Sequence, residues 1–140
     1  MMSSLEISAT ALSAQRTRMN VIASNIANAH TTRNEYGENI PYKKLEVLFG
    51  AGNGNIKDGL GVRVTSVEES LNPYKWVYQP DHPDAISDPE NEHFGQVRMP
   101  NINAIQEMVD MMMASRSYEA NLTAMEVSKG LSESVSRIIA

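Results

Sequence analysis

All 6 prolines and 7 of the 8 glycines of this 140-residue chain fall between Thr31 and Pro100. Proline lacks a backbone N–H and fixes φ, and glycine carries a large entropic cost in regular structure, so long helices are confined to the two ends. The pattern divides the chain into a helix over residues 1–30, a β-rich and loop insert over 31–100, and a second helix over 101–140.

The first end carries the periodicity that such a division requires. Leu5, Leu12, Met19 and Ile26 recur every seven residues, with Ile22 and Ala29 on the same stripe, as in a coiled-coil seam. A second stripe of Ile7, Ala11, Ala14 and Val21 lies beside it and is expected to face a neighbouring subunit. Ser3 followed by Glu6 reads as a capping box that starts this helix, and His30-Thr31-Thr32 should end it near Ala29. Asn20, Asn25 and Asn28 are poor helix formers, which suggests hydrogen bonding across a subunit contact.

Period-two alternation replaces period 3.6 in the middle. Leu45, Val47 and Phe49, and then Val62 and Val64, read as two strands joined by a loop over Gly50 to Gly61. Tyr74, Trp76 and Tyr78 fall on one side of a third extended stretch, and Phe94 to Met99 reads as a fourth. Between them Asp81, Asp84, Asp88, Glu90 and Glu92 with His82 and His93 offer metal-ligand types without compact spacing, so a solvated acidic loop is expected.

Asn103 with Gln106 caps the last helix, expected over Ala104 to Ile139 at roughly 50 Å. Ile105, Met108, Val109 and Met112, continued by Tyr118, Leu122 and Met125, form its first apolar face; Val127, Leu131, Val135 and Ile138 finish further round. Arg16, Arg18, Arg116 and Glu119 flank the seams and are placed to pair between helices. The resulting class is α+β: two long terminal helices packed as an antiparallel coiled-coil-like pair, with a small β-rich insert between them. A chain this short cannot bury every stripe within itself, and the leftover surface implies self-assembly.

Composition excludes other roles. A net charge of -5 with no basic run disfavours nucleic acid. No apolar run approaches the roughly 20 residues of a membrane span, and Met1 to Ala14 lacks the basic start and apolar stretch of a cleaved signal peptide. Zero cysteines remove thiolate metal sites and cysteine nucleophiles, and no Ser-His-acid set can be placed on rigid elements, so no cofactor and no catalysis are expected. Gly50, Gly52 and Gly54 lack the Lys-Ser or Lys-Thr pair of a phosphate loop.

The run Ser13-Ala14-Gln15-Arg16-Thr17-Arg18-Met19-Asn20-Val21-Ile22-Ala23-Ser24-Asn25-Ile26-Ala27-Asn28-Ala29 resembles the N-terminal signature of flagellar rod and hook axial proteins. Glu107-Met108-Val109 through Ala114-Ser115-Arg116-Ser117-Tyr118-Glu119-Ala120-Asn121 resembles their C-terminal signature. Val77-Tyr78-Gln79-Pro80-Asp81-His82-Pro83-Asp84-Ala85 and Val97-Arg98-Met99-Pro100-Asn101-Ile102-Asn103 are similar to the middle of the proximal-rod subunits of the FlgC type. The stretch Ile86 to His93 is longer than that family's turn, and Phe94 stands where a tyrosine is typical.

The resemblance implies a homo-oligomeric helical tube crossing the periplasm within the bacterial flagellar basal body. It implies other rod proteins, the rod-to-ring adaptor and the type III export apparatus as partners. Subunit contacts are then expected at Leu5, Leu12, Met19, Asn20, Ile22, Asn25, Ile26, Asn28, Met108, Met112, Arg116, Tyr118, Asn121, Leu122 and Met125. The alternatives are another axial subunit, a cytoplasmic coiled-coil adaptor, or a metal enzyme using the Asp81 to His93 loop.

Overall fold

A computed structural model describes residues 2–52 and 61–139. The order is α1 (Met2–Ala27), β1 (Leu45–Ala51), β2 (Val62–Glu69), β3 (Tyr74–Tyr78), β4 (Gln96–Pro100) and α2 (Ala104–Ile139). This is the α+β arrangement of terminal helices around a small strand-rich insert.

α1 begins at Met2, and the Ser3 side chain on which the expected capping box rests lies outside the described residues. Its end is local chemistry: Asn28 donates its side-chain amide to Ser24 O at 2.9 Å and Thr31 N donates to Asn28 O at 3.1 Å, closing the last turn. At the other helix, Asn103 Oδ1 accepts from the Ile105 and Gln106 amides at 3.1 and 3.4 Å, the N-cap bonds its sequence position requires.

The two helices make the most extensive interface between elements. They run antiparallel, because Asn25 near the end of α1 bonds Glu107 near the start of α2. From Glu107, a row of residues that lose solvent runs through Met111, Ala114, Tyr118, Asn121 and Met125, stepping by four and three. That seam shares only Tyr118 and Met125 with the expected face. Ile105, Met108 and Met112 are instead 75%, 52% and 55% exposed. The roll of α2 about its axis is fixed at its first turn by the Asn103 cap, by Ile102 buried beneath it, and by Glu107 turned inward. Counting apolar residues misplaces the seam over the first turns of α2, where Ile105, Met108 and Met112 are exposed.

β1 and β2 pair antiparallel, with Leu48 opposite Ser66 but Phe49 opposite Val64, so Thr65 is an extra residue and the ladder bulges there. An isolated two-stranded ribbon is marginal in water, and this one lies against α1. Thr10 Oγ1 accepts from Val62 N at 3.1 Å, while Ala14 and Val21 line crevices shared with the strands. On the second α1 stripe Ala14 is buried, Ala11 and Val21 are half-buried and Ile7 is exposed, so the hairpin lies over only part of the face expected to meet a neighbour. The tip expected between Gly50 and Gly61 lies largely outside the described residues.

β3 and β4 form a separate antiparallel pair. Val77 opposes the fully buried Val97 and Lys75 opposes the buried Met99, so Tyr74, Trp76 and Tyr78 lie together on the other face, as their alternation predicts. Trp76 stacks on His93 at 4.0 Å between ring centroids, and the Arg98 guanidinium sits 4.8 Å over Tyr74. Phe94 precedes β4 in a turn closed by its amide on Asn91 O, rather than starting the strand.

Candidate assembly surface

The joint that holds α2 in place is polar. Asn25 is 1% exposed, and its side chain mimics a strand partner for β1: Nδ2 donates to Leu45 O at 2.9 Å and Oδ1 accepts from Leu45 N at 3.0 Å. The same Nδ2 reaches Glu107 Oε2 at 3.2 Å, and Lys44 Nζ meets Glu107 Oε1 at 3.0 Å. Tyr42 and Ser24 complete the cluster. One asparagine thus ties α1 to β1 and to α2, and Lys44 neutralises a carboxylate that burial alone would disfavour.

A second clamp holds the insert. Asp84 is buried; its carboxylate accepts from Thr32 Oγ1 at 2.7 Å and from Arg33 Nε at 2.8 Å. The Arg33 hydrogen bond, followed by that of Thr32, holds the Asp84 carboxyl below the usual carboxylate range against the opposing effect of burial. The Arg33 guanidinium is raised in turn by the same hydrogen bond. The Asp81 to His93 segment is thus not uniformly solvated as expected: Asp81, Asp88, Glu90 and Glu92 are exposed, but Asp84 is structural. His82 Nδ1 accepts from the Asp84 amide, and His93 Nδ1 lies 3.1 Å from Gln96 Oε1.

With its roll fixed, α2 presents an apolar stripe to solvent on the side opposite α1. Ile105, Val109, Met112, Met113, Val127, Leu131 and Ile138 all lie on that outer half and are exposed, Ile138 at 84%. The positions singled out from sequence divide accordingly. Leu5, Leu12, Met19 and Ile26 on α1, Asn28 just beyond it, and Tyr118, Asn121 and Met125 on α2 are half-buried. Ile22 and Asn25 are buried within the chain, and Asn20 is exposed. Met108, Met112, Arg116 and Leu122 are exposed, and Arg116 makes no ion pair among the described residues. Asn25 and Asn28 use their amides inside the chain, and Asn121 bonds Ser117 O on its own helix at 2.8 Å.

Sequence reasoning missed Glu107, Lys44 and Arg33, and misread Asp84. A glutamate in a helix's first turn reads as a dipole complement, and an aspartate in an acidic loop reads as solvated. Their partners lie 63 and 51 residues away along the chain, beyond any local pattern.

The geometry is that of a piece with an unfilled side, and comparison with known proteins shows of what kind. Residues 5–33 match the family described as flagella basal body rod protein, and residues 95–138 match the C-terminal family of flagellar basal body rod FlgEFG proteins. The flagellar basal-body rod protein FlgC of Borreliella burgdorferi is 41% identical over 98% of this chain and 96% of its own length. Those of Bacillus subtilis and Salmonella typhimurium are each 40% identical, over 91% and 90% of this chain and 91% and 88% of theirs. No described helix is long and apolar enough to cross a membrane. The two end signatures therefore lie on the two antiparallel helices, and the chain belongs to the FlgC family of flagellar basal-body rod proteins.

Proposed function

We propose that this chain is a structural subunit of the proximal rod of the bacterial flagellum, acting by assembly and without catalysis. Copies stack in a helical array with the terminal helices toward the axis and the insert outside. The array crosses the periplasm, transmits motor torque and forms part of the export channel. Neighbouring rod proteins and the rod-to-ring adaptor cap its ends, and the type III export apparatus delivers the subunits.

One observation carries this reading: α2 is two-sided, with one seam on α1 and an exposed apolar stripe opposite it. Burying each Met- or Leu-sized side chain of that stripe contributes about 1.5–3 kcal/mol. A contact repeated at every subunit turns this into cohesion of the whole array. The half-buried α1 positions Leu5, Leu12 and Met19 and the exposed Asn20 supply further contact surface.

The test is Met112→Asp combined with Val127→Asp, both exposed in the single chain and therefore tolerable to its fold. A carboxylate buried without a partner costs several kcal/mol at each copy. The variant chain should fold, as read by circular dichroism, yet leave cells without rods in electron micrographs of basal bodies. Normal rods and swimming would refute the assignment of this face.

A further inference from the structure

The outer face of α2 carries a chemistry that its packing role does not need. Residues 111–113 are three consecutive methionines, and the helix turns them different ways: Met111 faces the α1 seam and is half-buried, while Met112 and Met113 are 55% and 58% exposed. Met108, one turn before Met112, is 52% exposed on the same outer half. Leucine would fill an apolar contact as well in bulk, but only a thioether is open to two-electron oxidation. Met99 on β4, 7% exposed, is shielded by the fold itself.

We propose that Met108, Met112 and Met113 form an oxidation site for hydroperoxides, open in the unassembled chain and closed once a neighbour covers this face. The closure rests on the reading of the α2 stripe as a subunit contact. In the reaction the sulfur lone pair attacks one peroxide oxygen, the O–O bond breaks and an S–O bond forms. Sulfur loses two electrons, the second oxygen leaves as hydroxide, and it takes the proton of the transferred oxygen to become water when the oxidant is hydrogen peroxide. The sulfoxide places a strong dipole and a new hydrogen-bond acceptor on a surface that must become dry, so an oxidised subunit is barred from the array. Methionine sulfoxide reductases reverse the change, one enzyme for each epimer. Oxidative damage is thereby sorted before assembly and kept out of the finished structure.

Isotopically marked hydrogen peroxide, applied to the purified full chain and to isolated basal bodies, tests this by the oxygen each methionine gains in peptide mass maps. In the free chain Met108, Met112 and Met113 should be oxidised at least about fivefold faster than Met111 and Met99, following exposure of the thioether. Met111 or Met99 keeping pace would overturn the site. In basal bodies the three should slow to the rate of Met99. If they stay fast there, the contact reading and the closure fail together, while selective labelling of the free chain would still establish the site. For the consequence, a chain with Met108→Gln, Met112→Gln and Met113→Gln carries polar amides of about sulfoxide size. It should reduce the swimming fraction at least about tenfold relative to the matching triple leucine variant. Equal swimming by both variants would overturn the claim that sulfoxides bar assembly.

Discussion

At the scale of single residues, Asn25 and Asp84 determine more than any apolar side chain. Removing the Asn25 amide strips a partner from the Leu45 N–H, the Leu45 C=O and the Glu107 carboxylate at once. Each buried group left unpaired costs about 1–3 kcal/mol. Asn25→Ala should therefore destabilise the chain by roughly 3 kcal/mol or more, a large part of a typical domain's total. Asn20→Ala, at an exposed position five residues earlier, should stay within about 0.5 kcal/mol. Urea unfolding of both variants decides the point, and equal midpoints would show that the Asn25 network is dispensable.

Asp84 sets the acid behaviour of the insert. Its pKa is lowered on folding, so the unfolded chain takes up this proton more readily than the folded one. The contribution of the clamp is then fully present above the unfolded aspartate value of about 3.9, and is lost as pH falls through the lower folded value. Asp84→Asn should lower the urea midpoint at pH 7 and flatten its fall below about pH 4. A variant whose midpoint at pH 7 matches the parent would show that the Arg33 and Thr32 bonds add nothing.

At the scale of elements, what was legible depended on whether the cause is local. Proline and glycine placement separates helices from insert, because those residues act on their own backbone. The α2 boundaries are equally readable, since Asn103 caps through the next few amides. The roll of α2 was not readable. Glu107 occupies the inner face that apolar periodicity would award to Met108 and Met112, and it does so because Lys44 and Asn25 arrive from distant segments. On α1 the seam residues Leu5, Leu12, Met19 and Ile26 are half-buried, and part of the second stripe lies against the β1–β2 hairpin. Periodicity tells which residues want cover, and only the tertiary fold tells what supplies it.

At the scale of the whole molecule, the apolar core is small and divided between the helix pair and the β3–β4 unit. The buried hydrophobic residues among those described are Ala14, Ile22, Ala29, Val97, Met99, Ile102 and Ala114. Ala14, Ile22, Ala29, Ile102 and Ala114 belong to the two helices and the residues that flank them, whereas Val97 and Met99 lie on β4, which pairs with β3. α2 has 36 residues against 26 in α1, and Val127, Leu131, Val135 and Ile138 in its distal part are all exposed. Helix propensity alone supports such a segment only marginally, because helical stability in proteins comes mainly from packing an apolar face. The free chain should therefore have graded stability. Amide exchange at low concentration should be slow over 97–102 and 105–115, and within about tenfold of unprotected peptide over 126–139, where opening costs little. In assembled rods the 126–139 amides should become protected, as the stripe gains the neighbour it lacks. If the free chain protects 126–139 as well as 105–115, the distal half of α2 is stable unaided. The exposed stripe would then cease to be evidence that the subunit is completed only by its neighbours.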